Sequence, residues 1–595
     1  MEDLMVKSAV LKGGEFLVKE TNPADVFTPE DMNEEQQMIL EMCLDFVKNE
    51  AQAVAPKIEN QVPLLNKAAE LGLLSSHIPE AYGGMQMDNN TNTVILTGLG
   101  GAGGSFTTSF AAHTGIGMLP ILYYGTEEQK LKYLPGLGNG ELKASYCLTE
   151  PSAGSDALSG KTRADLSKDG THYVISGQKM WISNAGFADV LIVFAQVDGD
   201  KFTGFVVDAK SEGITLGAEE DKMGIKGSST RQVFFENVKV PATNVLGEVG
   251  KGHLIAFNVL NVGRFKLGAL CVGGMKDSIS GATQYANERV QFKQPIANFG
   301  AIQYKLAEQT IKTYALESTV YRVSNLMQEM RATLKEQGKS YSDALLESAE
   351  EYAIECGLLK ILGSEGLDYV VDESVQIHGG NGFSEEYKAA RSYRDARINR
   401  IYEGTNEINR MLMVNMLLRR AMKGKINITD AAWAVQKELA SMPNFDSIEG
   451  DFAIEQKAVK NFKKVALIVA GAAVKYQMDG KINLRDEQEI MMNAADIMTE
   501  LYAAESVLLR VQKLAQTKSH DEIANQINIM KVLFNDVNDR IAKFAKDALA
   551  SFAEGDELSI MLMGVKRFTK LAPVNVKKAR RKIAKALIEA NEYCF

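Results

Sequence analysis

The stretch Arg400-Ile-Tyr-Glu403-Gly-Thr405-Asn-Glu-Ile408 places one carboxylate on a glycine-punctuated turn, with aromatic and apolar neighbours before it. An apolar-rich segment, Met411 to Leu418, follows, so the stretch is expected to open a helix. Thr405 has the chemistry of an N-cap, and Glu407 falls in the first turn, where the helix dipole favours an acid. A base for a weakly acidic C–H must sit close to the carbon it deprotonates, where water cannot level it. Glu403, at the mouth of a helix on a glycine hinge, suits that task. The plainer reading is that Glu403 decorates a helix start, and the rest of the chain has to decide between the two.

At 595 residues the chain is long enough for three or four domains. Its composition, 45% hydrophobic and 24% charged, is that of an ordinary globular protein. A net charge of −10 gives no global case for nucleic acid. Cys43, Cys147, Cys271, Cys356 and Cys594 lie far apart with no CxxC and no Cys/His cluster, which argues against a metal site or disulfide framework and fits a reducing cytoplasm. The first residues lack the long apolar core of a secretion leader, and the clean apolar run Val465 to Val474 is too short to span a bilayer. The expected location is cytoplasmic, at most peripheral to a membrane.

The elements that must position Glu403 read as follows. From Asn33 to Tyr124 the period is helical: Gln36, Ile39, Leu40, Cys43, Phe46 and Val47 recur at three and four. Pro79 to Gly84 interrupts as a loop. The run Gly98 to Gly104 implies close approach by another backbone or a ligand, because glycine costs a helix about 1 kcal/mol relative to alanine. It is no dinucleotide fingerprint, since no strand precedes it. Near Tyr146 the period changes. His172–Ser176, Lys179–Ser183, Val190–Ala195, Thr203–Val207 and Val233–Val240 are β-branched and aromatic segments separated by Gly and Asp turns, as in a small barrel or sandwich. From His253 to Lys425 long helices return, with one charged break from Arg331 to Ser342 and a C-cap at Gly379 to Gly382. From Ile426 to Phe595 the pattern is again helical and closes on a basic amphipathic helix around Lys577 to Lys582, a face that is usually just solvated.

Several peptides have a chemistry of their own. In Tyr146-Cys-Leu-Thr-Glu-Pro-Ser-Ala-Gly-Ser-Asp156, Gly154 allows close backbone approach while Thr149 and Ser155 offer hydroxyls to an anionic group. Lys179-Met-Trp-Ile-Ser-Asn184 carries Trp181, able to cover a flat ring, and Ser183. Arg289 in Asn287-Glu-Arg-Val-Gln-Phe292 is a fork suited to a pyrophosphate. With Phe299 to Gln303, Gln376-Ile-His-Gly-Gly-Asn-Gly-Phe383 and Ile401 to Thr405, these peptides, in this order, resemble the acyl-CoA dehydrogenase family.

The resemblance implies an α+β, mainly α fold: an N-terminal helical domain over 1–144, a small β-barrel domain over 145–250, a helical bundle carrying the base over 251–425, and a further helical domain over 426–595. It implies FAD, bound by Tyr146, Leu148, Thr149, Gly154, Ser155, Trp181 and Ser183, by Arg289, Phe292 and Gln303, by Gln376, Gly379 and Gly380, and by Thr405 and Glu407. The Arg289 and Gln376 groups would reach a flavin in a neighbouring subunit. Glu403 matches the family's base for α,β-dehydrogenation of an acyl-CoA thioester. Ser155, Asn261, Arg264, Tyr402 and Gly404 fall on the substrate side, with Asn261 where some members have Asp. Thr108, Ala111 and Ala112 are small where medium-chain members are bulkier, which leaves room for a long acyl chain. The domain after Lys425 resembles that of the very-long-chain branch and implies a homodimer. Electron-transferring flavoprotein is the expected acceptor; the alternatives are an oxidase using oxygen and a non-catalytic scaffold of the same fold. His378 is read as structural.

Overall fold

The computed structural model describes residues 10–439, 441 and 449–595. The reading of the first nine residues as no secretion leader, and part of the helical expectation after Ile426, lie outside them. The N-terminal helices are α1 (Glu34–Phe46), α2 (Gln61–Glu70), α3 (Asn89–Leu99), α4 (Gly104–Ala111), α5 (Leu119–Tyr124) and α6 (Glu127–Gly138). α1 starts where Asn33 and Gln36 cap each other: each side chain accepts the other's backbone N–H.

Eight strands follow: β1 (Ala144–Cys147), β2 (Arg163–Leu166), β3 (His172–Ser183), β4 (Val190–Val197), β5 (Lys201–Asp208), β6 (Ile214–Leu216), β7 (Thr230–Pro241) and β8 (Val245–Leu246). They form one mixed sheet with the path β6-β7-β3-β2-β4-β5-β8, and β1 pairs with β4, parallel, from Ala144 opposite Val190 to Cys147 opposite Val193. β4 is covered on both faces. Leu191 and Val193 join a core inside the sheet domain, while Val190, Ile192 and Phe194 join the main core shared with the helices. That is why its sequence is continuously apolar rather than alternating. The two segments expected at His172 and Lys179 are one strand. Its register slips between Ile175 and Gly177 and again between Lys179 and Ile182, and the irregular pairing interrupts the period-2 pattern.

The bundle contains α7 (Gly252–Glu288), the hairpin β9 (Val290–Gln291) and β10 (Gln294–Pro295), α8 (Gly300–Glu336), α9 (Tyr341–Glu351), α10 (Ala353–His378), α11 (Gly380–Phe383), α12 (Lys388–Ala396) and α13 (Asn406–Met422). α7 is long and apolar enough to cross a membrane, but 78% of that window is buried among the other elements. The glycine run is answered here: a Cβ on Gly100 would collide with the Leu270 carbonyl, and one on Gly273 with that of Thr97, so α7 crosses the end of α3 backbone to backbone. The break expected from Arg331 is shorter, because α8 continues to Glu336 and Arg331 donates to Ser348 of α9 at 3.0 Å.

The last block is α14 (Ile428–Leu439), α15 (Ala453–Met478), α16 (Gln488–Leu514), α17 (Ala524–Ala550), α18 (Gly555–Phe568) and α19 (Val576–Ala590). It shares the main apolar core, and Val465 to Val469 are all buried. Buried ion pairs pin it to α8: Arg322 to Glu505 at 2.8 Å and Arg510 to Glu317 at 3.0 Å. α19 turns Ala579, Ile583, Ala584 and Leu587 inward and pairs Arg580 with Glu308 of α8 and Asp536 of α17.

Candidate active site around Glu403

Two consecutive left-handed residues, Glu403 (φ 59°) and Gly404 (φ 82°), make the turn before α13. For a glutamate this conformation is strained by roughly 1–3 kcal/mol and persists only where surroundings over-determine it. They do. The Glu403 carbonyl accepts from Arg264 Nε at 3.1 Å, and the Gly404 carbonyl accepts from Lys360 Nζ at 2.7 Å and Asn409 Nδ2 at 2.8 Å. Thr405 is the N-cap of α13, its Oγ1 accepting from the Ile408 N–H at 3.3 Å, and Glu407 lies in the first turn.

The Glu403 carboxylate is left with an unused acceptor. Its Oε2 is buried and has no hydrogen-bond partner. It lies against Gly263 of α7, where a Cβ would come within 2.6 Å of Oε2 and push the carboxylate aside. Burial pushes the carboxyl up to about 7, against the pull of Arg264 and Lys360. Those two cations spend their donors on the carbonyls of Glu403 and Gly404 and on the side chains of Asn261 and Asn406, not on the carboxylate. Burial also pushes Lys360 down to about 8 and lowers Arg264. Asn261, expected on the substrate side, is buried and accepts from Arg264 at 2.8 Å; together they brace the turn.

A cavity of about 140 Å³ opens beside Glu403. Tyr402 and Glu403 form one end, Thr108, Ala111 and Ala112 one wall, and Gly263, Leu267, Leu270 and Gly274 of α7 another. The α7 wall runs about 16 Å from Gly263 to Gly274 at the helical rise. Lys266 also lines it. Its amine donates to the Thr114 carbonyl at 3.0 Å, and burial pushes it down to about 7. Sequence reading missed Gly263, Lys266 and Lys360. The visible signal for the lysines was a single cation within an apolar helical stretch, Phe265 to Cys271 and Gly357 to Gly363.

On the sheet side, Ser183 lines the same cavity. Trp181 stands at the second slip of β3 with φ 61° and is 53% exposed, a large aromatic face left open. Thr149 accepts the Met180 N–H at 2.9 Å through its carbonyl, which holds the two sheet peptides together. Tyr146 and Leu148 are buried, while Gly154 and Ser155 are exposed, and a Cβ on Gly154 would meet nothing. Arg289, Phe292, Gln376, Gly379 and Gly380 face outward, Phe292 at 88% exposure, and none of them lines the cavity. Gln303 bonds back to the Ala297 carbonyl at 3.1 Å. His378 donates to the Ser374 carbonyl at 2.7 Å and stacks on Tyr285 with ring centroids 4.2 Å apart, a packing role.

The chain matches the acyl-CoA dehydrogenase N-terminal domain over residues 33–141, the middle domain over 145–238, and two C-terminal domain descriptions over 250–418 and 461–567. The chain belongs to the acyl-CoA dehydrogenase family. It is 44% identical to a probable acyl-CoA dehydrogenase of Bacillus subtilis, over 99% of this chain and 100% of that one. The human mitochondrial very long-chain specific acyl-CoA dehydrogenase is 35% identical, covering 82% of this chain and 76% of that one. The crystal structure of an acyl-CoA dehydrogenase complexed with FAD from Bacillus anthracis superposes with a TM-score of 0.94 at 46% identity, over 98% of this chain and 100% of that one.

The enzyme uses FAD, and the residues present fit it. A flavin needs an aromatic or apolar cover, hydroxyl and amide partners, and a cation for its pyrophosphate. The half-open Trp181, the hydroxyls of Thr149, Ser155 and Ser183, and the exposed guanidinium of Arg289 meet those needs.

Proposed function

We propose that the enzyme removes hydrogen from Cα and Cβ of long-chain acyl-CoA to give the trans-2-enoyl-CoA, with Glu403 as the base that takes the α proton. One observation carries this: the buried, unpartnered Oε2 of Glu403, its proton affinity raised to about 7, faces a cavity. A carboxylate in water is far too weak a base for a thioester α-proton; one raised toward neutral and shielded from water is better matched. Arg264, Lys360 and Asn409 hold the turn by its carbonyls, so the carboxylate is aimed without being neutralised. The charge that develops on the thioester oxygen needs an aimed donor, a role the Glu403 backbone N–H would fill; one such donor is worth about 3–4 kcal/mol. FAD, when bound, supplies the acceptor for the hydride that leaves Cβ.

The walls of the cavity support a long acyl chain. Thr108, Ala111 and Ala112 leave space, and about 16 Å of α7 at the helical rise is room for roughly a dozen carbons at ~1.2 Å per extended bond. The 35% identity to a very long-chain specific relative supports the same reading. Thr149, Ser155, Trp181 and Ser183 would hold FAD in one subunit, and Arg289, Phe292, Gln303, Gln376, Gly379 and Gly380 would complete it from another. Their outward placement supports a homodimer. Electron-transferring flavoprotein is the proposed acceptor, the cytoplasm the proposed site, and the exposed Lys577, Lys578, Arg581 and Lys582 the proposed contact with an anionic membrane surface.

The test is an anaerobic titration of the purified flavoprotein with butyryl-, octanoyl- and palmitoyl-CoA. Palmitoyl-CoA should bleach the flavin at the lowest concentration, and electron-transferring flavoprotein should restore its colour faster than oxygen. Tightest response to butyryl-CoA refutes the long-chain assignment, and faster recovery with oxygen refutes the acceptor. In Glu403→Gln, substrate should bind without bleaching.

A further inference from the structure

The turn that carries Glu403 is tied to the C-terminal helical block by an unbroken polar chain. Lys360 Nζ donates to the Gly404 carbonyl at 2.7 Å and to Asn406 Oδ1 at 2.6 Å. Asn406 Nδ2 donates to Glu365 Oε1 at 2.9 Å. Arg410 grips both oxygens of Glu365, at 2.7 and 3.0 Å, and its Nε donates to Asp496 Oδ1 at 2.7 Å. Asp496 belongs to α16, in the last block, 86 residues beyond Arg410.

The chain has only one sensible polarity. The Asn406 amide turns its oxygen to an ammonium and its nitrogen to a carboxylate, so a flipped amide would face like against like at both ends. Asn406 is almost fully buried, and Arg410 and Lys360 are buried as well, so their links cannot be exchanged for water without loss, while the Glu365 side chain between them is 42% exposed. The bidentate Arg410–Glu365 fork adds direction to the hold. Apolar contact runs alongside it, with Val414 of α13 against Met491 and Ala495 of α16.

We propose that the C-terminal block positions the catalytic carboxylate through this chain, with Lys360 as the positioning residue beside the turn and Asp496 as its remote anchor. The inference rests on Glu403 being the base. Asp496 fixes the fork of Arg410, the fork fixes Glu365, and Glu365 with Asn406 keeps the Lys360 amine on the Gly404 carbonyl. Loss of any link lets the left-handed turn relax and moves the carboxylate off its aim at the α carbon. Lys360 also adds positive charge near Glu403. The other charged or titratable groups that face Glu403 are Arg264 from α7, Tyr146 from β1 and Tyr402 from the turn itself.

The experiment is a double-mutant cycle on the FAD-loaded enzyme, with Asp496→Asn, Lys360→Met, the pair, and Glu403→Gln as reference. Asp496→Asn is isosteric and should lower kcat roughly tenfold with KM little changed, and Lys360→Met roughly a hundredfold, the scale of an ångström's misplacement. The pair should be no slower than Lys360→Met alone, because both break one chain. In Lys360→Met the acid limb of the kcat–pH profile should move to higher pH, since removing a cation raises the affinity of Glu403 for its proton; a purely structural lysine would leave that limb in place. Wild-type kcat in Asp496→Asn, or losses that multiply independently, would overturn the proposal. If Lys360→Met fails to load FAD, a cycle of Asp496→Asn with Glu365→Gln decides the same question: non-additive losses support the chain, independent ones refute it. An active Glu403→Gln would refute the base assignment itself. With Glu403→Gln inactive, the base assignment stands, and coupling or independence in the cycle supports or refutes the chain.

Discussion

Glu403 and Glu505 are both glutamates buried within reach of two cations, and their environments drive them in opposite directions. Glu505, on α16, accepts from Arg322 at 2.8 Å and pairs with Lys463 at 2.6 Å. Burial opposes its charge, but the two cations outweigh that, and its proton affinity falls below the ordinary carboxylate range. Around Glu403, Arg264 and Lys360 are near enough to act through space, yet their N–H groups are directed to the carbonyls of Glu403 and Gly404. Burial then dominates, and the carboxyl rises to about 7. The difference shows that a buried carboxylate holds or loses its proton at neutral pH according to where its neighbouring cations point their donors. Direct pairing spends the charge on cohesion between the last block and α8, whereas pairing with the backbone holds the geometry and leaves the charge reactive.

The largest way to break the comparison is Glu403→Gln. The amide keeps the shape and cannot take a proton, so kcat should fall by about 10³-fold or more while flavin content is retained. Stopped-flow flavin reduction measures it. At neutral pH the variant should unfold at equal or higher temperature, because a partnerless buried carboxyl has been removed.

Glu505→Gln should do the reverse. It leaves Arg322 and Lys463 buried with no counter-charge, and breaking a buried pair of this kind costs about 3–5 kcal/mol. Denaturant unfolding should show the loss, while kcat well below the new melting temperature stays within a fewfold of wild type.

The pH dependences sharpen the contrast. Glu403 has its folded value raised, so the native state holds a proton that the unfolded chain releases. Its contribution to stability is therefore most favourable at low pH and falls as pH rises from the ordinary carboxylate range through about 7. Glu505 is depressed, so its contribution is present above the ordinary range and is lost on acidification through its folded value. Between about pH 5 and pH 8, Glu403→Gln should recover on the order of 2 kcal/mol of the stability that wild type loses. Activity runs opposite to stability at this site: kcat should rise with pH and level off above about 7, as the base ionises.

The smallest effect should come from a carboxylate that is neither. Asp547 forms an exposed pair with Lys543, one helical turn away on α17. Asp547→Asn should change stability by less than about 0.5 kcal/mol, and less still in salt.

Much of this molecule is legible in its amino acids because it is written at short range. The capping box at Asn33 and the N-cap at Thr405 are fixed by residues three apart. The apolar character of β4 and of Val465 to Val469 reports burial on more than one side, and both are buried in the folded chain. The order of the flavin and base peptides was also enough to name the family. What no local pattern holds is contact across the chain. β3 reads as two strands because its slips depend on how β7 pairs with it, and α8 outruns its expected break because Arg331 finds Ser348 on another helix. The Gly98 to Gly104 run announced a close approach, but only docking decided that α7 was the other backbone. Glu403 was recognisable as a candidate base, but its raised proton affinity was not legible. That depends on Gly263 making room for Oε2, and on Arg264 and Lys360 reaching the backbone of the turn from 139 and 44 residues away. Side-chain type sets which bonds a residue can form; tertiary packing decides which partner is near enough to take them, and in a water-poor interior that choice sets the energy of the charge.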